Sequence, residues 1–430
     1  TPGIREQSPV WSPDGKYVAY LSDQTGEYEI WLAPADGKGE ARQLTKGSKT
    51  YKMGMVWSPD SKHLLLSDAA LNLWIVDAES GKQKLIDTSV SDEIRQVDWS
   101  PRSGWVAYAK SEENGFSSIF LYNVADEKVH RVTTDFTIDT QPCFDDEGKY
   151  LFFSSATQFN PTLGGFDLKP IWANQDGLYL VTLREDVDNP FAPESDEVTV
   201  KEEEEEDDKD KKDKQDGDKK DDAEGEDDKE KEDKDAPIAI DLDGLAGRMV
   251  DLGVDPGNYF NLQFTEGKLF YLSRPFTPGG GRGNQRATTS IKLYDMEERE
   301  EKDVLGGVFG YELSVDGKKL FYAQRGGKFG IVDAKPDRKP AKKPLRTGEL
   351  QAKVDPRAEW RQMFRDAWRQ ERDFFYDPGM HGVNWDKMYE RYGQLVPYVA
   401  HGSDFTYLLG ELIGELNSSH SYARPGDRPR

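Results

Sequence analysis

The chain has 430 residues, 36% hydrophobic and 11% aromatic, with a formal net charge of −24. That is enough apolar material for two cores and too much chain for one small domain. No run of about eighteen apolar residues occurs, which excludes a membrane-spanning helix, and the single cysteine, Cys143, excludes an internal disulfide framework.

From the N-terminus one pattern keeps returning. WSPDGKYVAY from Trp11 is followed by WSPDSKHLLL from Trp57, WSPRSGWVAY from Trp99 and FDDEGKYLFF from Phe144. Looser copies are FTEGKLFYL from Phe264 and LSVDGKKLFYA from Leu313. The leading residues are 46, 42, 45, 120 and 49 apart, so one interval alone is out of step. A period near 45 residues signals a repeat architecture. In each copy an aromatic or leucine ends one strand, a Pro-Asp-Gly type turn reverses the chain, and a second strand follows. A third strand trails each copy, as in EIWLAPADG from Glu29 and NLWIVDAESG from Asn72, and a short fourth closes some, as in RQLT from Arg42. Four antiparallel strands per 45 residues is the blade of a β-propeller. We therefore expect a mainly β fold, with a propeller over residues 1–348 showing six blades of a probable seven. The opening TPGIREQSPVW has no charged-then-apolar signal pattern and reads as starting partway through a blade, so the chain is expected to be a fragment.

The charge is concentrated in one place. Residues 201–235 hold 21 acidic side chains against ten lysines, a net of −11, with no aromatic or aliphatic β-branched residue. Such a tract cannot bury enough surface to offset its ordering entropy. It lies between the third strand of the fourth repeat, GLYLVTL from Gly177, and the fourth, RMVDL from Arg248. This explains the 120-residue interval, and residues 184–247 are expected to form an acidic, disordered insert within that blade. No basic stripe exists to receive nucleic acid. GGGRGNQRATTS from Gly279 lacks the G-x-x-x-x-G-K-[ST] order of a phosphate loop and reads as a flexible hairpin, with Arg282 and Arg286 as candidates to line an opening.

Near Asp355 the hydrophobic period changes to 3.6, opening a small all-α domain over 355–430. Asp355-Pro356 starts one helix, with Trp360, Met363, Phe364, Ala367 and Trp368 on one face. Asn384 caps a second helix with Trp385, Met388, Tyr389, Tyr392 and Leu395. Ser403 opens a third that buries Phe405, Leu408, Leu409, Leu412 and Ile413. This last helix runs into Asn417-Ser418-Ser419-His420-Ser421-Tyr422, a polar cluster followed by an expected strand. An imidazole at a helix end between hydroxyls suits general-base work. From residue types alone a hydrogen-bonding histidine is the commoner outcome, and no G-x-S-x-G elbow supplies a nucleophile. His63, His130, His381 and His401 lack metal-ligand spacing, so no metal site is expected.

The order of parts adds to this reading. WSPDG-type repeats, then FFYDPGMHGVNWDKMYERY, then GELNSSHSYA, resemble the tricorn protease family over all of the chain except the acidic insert. In that family a six-bladed and a seven-bladed propeller precede a helical core domain, a PDZ domain and an α/β domain that carries the nucleophilic serine. The resemblance implies most of the second propeller followed by the first core domain. It makes His420 the general base and Ser419 the residue that helps orient it, with the nucleophile in a later domain. It further implies a serine peptidase acting on unfolded oligopeptides without a cofactor, a propeller that gates access, and a homo-oligomeric parent. The cysteine usage leans to the cytoplasm, with an exported form left open by the missing true N-terminus. The competing expectation is a non-enzymatic, TolB-like propeller serving as a protein- or peptide-binding scaffold.

Overall fold

The computed structural model describes residues 2–159, 161–163, 170–192, 236–274 and 289–426. The acidic tract 201–235 and most of the glycine-rich stretch 279–290 lie outside the described residues.

Six antiparallel sheets follow one another along the chain, each built from strands consecutive in sequence apart from a two-stranded ladder inserted in the fourth, and together they form a six-bladed propeller. Blade one comprises Glu6–Trp11, Tyr17–Ser22, Glu29–Pro34 and Arg42–Gln43. Blade two runs from Lys52–Trp57 to Gln83–Thr88, blade three from Val97–Trp99 to Val129–Arg131, and blade four from Asp139–Phe144 to Met249–Asp251. Blade five runs from Tyr259–Thr265 to Glu300–Gly306. Blade six has three strands, Val308–Leu313, Lys319–Gln324 and Lys328–Asp333. Among the described residues a seventh blade is not seen. The first sheet is complete from its first strand, so the expected entry partway through a blade is corrected.

The recurring turn explains the periodicity. Ser12 Oγ accepts the backbone N–H of Tyr17 at 3.0 Å, and its hydroxyl donates to Asp14 at 2.6 Å, closing the reversal with side-chain bonds. Ser58, Ser100 and Ser314 accept from His63, Trp105 and Lys319 in the same way. The residue that ends the turn is left-handed in every copy: Gly15, Ser61, Ser103, Gly148, Gly267 and Gly317. Serine tolerates this backbone poorly, yet the hydroxyls of Ser61 and Ser103 accept the N–H groups of Asp14 and Asp60 in the preceding blade's turn. At Gly148 no side chain fits, because a Cβ would lie 2.6 Å from Ile238.

Between blades, the residue ending each first strand packs against the blade before it. Trp57 joins the core of blades one and two, Trp99 that of two and three, and Phe144 that of three and four. The first strands are also laced together by side chains reaching backbone. The Trp57 indole donates to the Val10 carbonyl, Asp98 accepts from Phe144 N, Gln141 from Asn261 N and Gln263 from Leu313 N. Trp11, at the equivalent position of blade one, is 64% exposed, whereas Trp57 and Trp99 are buried.

The insert is narrower than its expected bounds of 184–247. Its near end, through Phe191, packs against Tyr294 of blade five. On the far side Ile238, Ile240, Leu242 and Leu245 join the core of blades three and four, and the Ile238 carbonyl accepts the Trp105 indole N–H at 3.1 Å. The reason is alternation: Ile238, Ile240 and Leu242 present one apolar face, which the tract 201–235 cannot do. A two-stranded ladder, Thr162–Leu163 with Pro170–Ile171, lies between the second and third strands of blade four and was not anticipated.

Three α-helices follow: α1 Pro356–Phe374, α2 Trp385–Gly393 and α3 Gly402–Gly414. Asp355 caps α1 through the N–H groups of Arg357 and Ala358, and Asn384 caps α2 through Lys387 N. The third cap is His401 rather than Ser403, because Asp404 closes a capping box with His401. Phe364, Trp385, Phe405, Leu408 and Leu412 form the core as expected, with Trp360 and Trp368 packed against it. Met363 and Leu395 depart from expectation and are about half exposed.

Helix α1 also has a second, polar face. Asp366 and Arg369 are buried there against blade one. The Arg369 guanidinium is fully buried, donating to Asp23 at 2.7 Å, to Asp366 at 3.0 Å and to the Gly26 carbonyl at 2.5 Å, while lying over the Tyr28 ring. Tyr28 and Arg5 both donate to Asp366, Arg372 grips Glu27 with two bonds, and Asp373 accepts Tyr51 N. An arginine suits this position because its fixed fork satisfies several acceptors at once. The helical unit is thereby bolted to one end of blade one.

Candidate active site

The segment Asn417–Tyr422 leaves α3 through a left-handed Asn417, with φ 49°. Ser419 and His420 occupy the next turn, both exposed, and His420 is itself left-handed at φ 67°. Ser418 and Ser421 are half-buried. Among the contacts of the described residues, the His420 ring has one aromatic neighbour, Tyr422, with centroids 6.4 Å apart, and no hydrogen bond to Ser419. The strand expected after the motif does not form: residues 421–426 have no ladder partner among the described residues. The structure thus brings Ser419 and His420 to one solvent-facing turn and leaves the imidazole unengaged. An exposed imidazole free of internal partners can take a proton from a group that approaches from outside the turn.

Two straps hold the start of this turn. Glu415 accepts the Tyr392 hydroxyl at 2.5 Å and Arg391 at 3.0 Å. The second strap is His381, whose Nδ1 lies 2.7 Å from the carbonyl oxygen of Leu416 and whose Nε2 meets the Tyr376 hydroxyl. A carbonyl only accepts, so Nδ1 carries the proton. Spacing alone placed His381 in a loop between helices and did not single it out. The available signal was its setting in FFYDPGMHG, where Asp377 folds the turn by accepting the N–H groups of Gly379 and His381.

The other histidines have structural settings. His401 caps α3, His63 stacks on Trp99 and His130 tilts against Trp105. No cluster of three or more metal-ligating side chains occurs among the described residues. No described helix is long and apolar enough to cross a membrane. A cavity of about 490 Å³ lies elsewhere, between the first strands of the leading blades, lined by Gln7, Tyr51, Lys52, Met53, Arg95 and Phe374 among others.

With this geometry in place, comparison with known proteins is decisive. Residues 1–334 match the model of the tricorn protease second β-propeller domain, and residues 356–414 match that of the tricorn protease C1 domain. The chain belongs to the tricorn protease family. Tricorn protease homolog 1 of Streptomyces coelicolor is 28% identical over 99% of this chain and 39% of its own length. A putative tricorn-like protease C-terminal subunit of Sulfurisphaera tokodaii is 27% identical over 86% of this chain and 39% of its own length. The crystal structure of the tricorn protease shares the fold, with a TM-score of 0.75 at 20% identity over 95% of this chain and 37% of that one. The chain therefore spans about two fifths of the length of these curated tricorn relatives. The C1 match ends at residue 414, so Ser419 and His420 lie just beyond it.

Proposed function

We propose that this chain supplies the general base and the access-controlling propeller of a tricorn-type serine peptidase that cleaves unfolded oligopeptides. His420 takes the proton of a serine hydroxyl carried by residues outside this chain, and then returns it to the leaving amine. Backbone amides near that serine stabilise the tetrahedral oxyanion. Ser419 orients the imidazole once the two parts meet, and the chemistry calls for no cofactor. The propeller admits extended peptides and turns away folded proteins. A seventh blade, covering the exposed Trp11, a homo-oligomeric assembly and a cytoplasmic location complete the reading.

The observation that carries the reading is the state of His420: an exposed imidazole without hydrogen bonds to the described residues, on a strapped turn just past a helix that buries one face. In the peptidase that contains this chain, His420→Ala is expected to lower kcat by about 10⁴ or more, as when a serine–histidine pair loses its base. Ser419→Ala should cost less. The 430-residue chain alone should hydrolyse no peptide and take no label from a serine-directed phosphonate. Near-normal turnover by His420→Ala would overturn the assignment, and labelling of the isolated chain would place the nucleophile here.

A further inference from the structure

We propose that His381 is a positioning residue for His420, acting by clamping the carbonyl at which the chain leaves α3. This inference rests on the general-base reading of His420. Two residues past the end of α3 at Gly414, the carbonyl of Leu416 is taken by the Nδ1–H of His381 at 2.7 Å. Leu416 itself is buried in the helical core, and the next residue, Asn417, turns the chain left-handed toward His420. The clamp thus acts at the hinge, four residues before the base.

His381 is in turn over-determined. Its backbone is left-handed, at φ 53°, in a turn folded by Asp377. Its ring meets the edge of Phe375 with centroids 5.0 Å apart, and the Tyr376 hydroxyl holds Nε2. Tyr376 is largely exposed, so this second bond aims the ring rather than filling a core. A left-handed histidine backbone with both ring nitrogens engaged, one of them on a backbone carbonyl 35 residues away, is more than packing requires.

Two amides separate the clamp from a merely structural role. His381→Asn puts an N–H near the Nδ1 position and tolerates the left-handed backbone, so it should keep the Leu416 bond. His381→Gln carries its N–H at the outer position and should lose that bond while retaining a partner for Tyr376. Amide hydrogen exchange on the 430-residue chain is the first readout. The Gln variant should exchange about tenfold faster at residues 415–417, whose N–H groups bond back to Leu412, Ile413 and Gly414, the worth of one hydrogen bond, with residues 405–412 unchanged, and the Asn variant should match the parent. In the peptidase that contains this chain, the Gln variant should lose about 10- to 100-fold in kcat with KM unchanged, as a misplaced base does. The Asn variant should stay within about threefold of the parent, because the hydrogen bond is retained. Equal behaviour of Asn and Gln in exchange, or an unchanged kcat in the Gln variant, overturns the proposal. A failure of the underlying reading looks different: His420→Ala would then remain active, while exchange still reports whether His381 holds the turn.

Discussion

At the scale of single residues, the turn of blade four departs from its siblings in a way that predicts a pH response. Asp145 stands where Ser12, Ser58, Ser100 and Ser314 stand elsewhere, and it accepts the same backbone N–H, here from Tyr150 at 2.7 Å. Burial pushes its carboxyl up to about 6, against the pull of the Tyr150 and Glu147 N–H groups. An unfolded aspartate titrates near 3.9. Between those values the native state binds the proton more tightly, so Asp145's contribution is whole below pH 4 and is lost as pH rises through 6. Asp145→Ser should remove this dependence. Its stability relative to the parent should therefore grow between pH 4.5 and 7.5, by on the order of 1–3 kcal/mol. Urea unfolding of both proteins at the two pH values measures it, and parallel curves would show that the carboxyl is already charged throughout.

Individual elements show what a sequence can and cannot disclose. The blades were legible because a tight turn and flanking apolar strands recur with a fixed period, and the third strands expected from Glu29, Asn72 and Gly177 start at those residues. The cores of α1 to α3 were legible for the same reason. The polar face of α1 was not: Asp366, Arg369 and Asp373 look solvent-facing on a helical wheel, and only partners on blade one and at the entry to blade two bury their side chains. The strand expected after His420 failed because period-two patterning does not supply a neighbouring edge. His381 was passed over because its partner is a backbone carbonyl 35 residues away, which side-chain spacing does not encode. The α1 interface carries its own prediction. Arg369→Met leaves Asp23 buried without a side-chain cation and Asp366 with Arg5 alone, and should cost about 3–5 kcal/mol in chemical denaturation. Adding Asp23→Asn and Asp366→Asn should recover part of that. A loss below about 1 kcal/mol would mean that water reaches the pair as it does at an exposed one.

For the molecule as a whole, the question is which parts are cooperative. The five interblade cores form a continuous run from blade one to blade six, and α1 fastens the helical unit to the first of them. The acidic tract enters and leaves within a single blade, and its far flank is stitched down by the bond from Trp105 to Ile238. Deleting 201–235 should therefore shift the melting temperature by no more than about 2 °C, since loop closure depends only weakly on length. A much larger drop in a thermal scan would assign the tract a share of the folded core. The expectation for His420 and Ser419 comes from resemblance to the tricorn family, whereas their exposure on one turn belongs to the three-dimensional arrangement alone.

The lone thiol offers a built-in stopwatch. Cys143 lies in the seam between blades four and five with Tyr259, Leu262 and Tyr271, 5% exposed, and burial raises its pKa well above the ordinary value. A chain with one sulfhydryl, sealed at one seam, gives an alkylating reagent a single event to count. In native buffer the reagent can react only when those two blades part, so the labelling rate measures how often that seam opens. Labelling should be orders of magnitude slower than in the unfolded chain, and equally slow with and without residues 201–235.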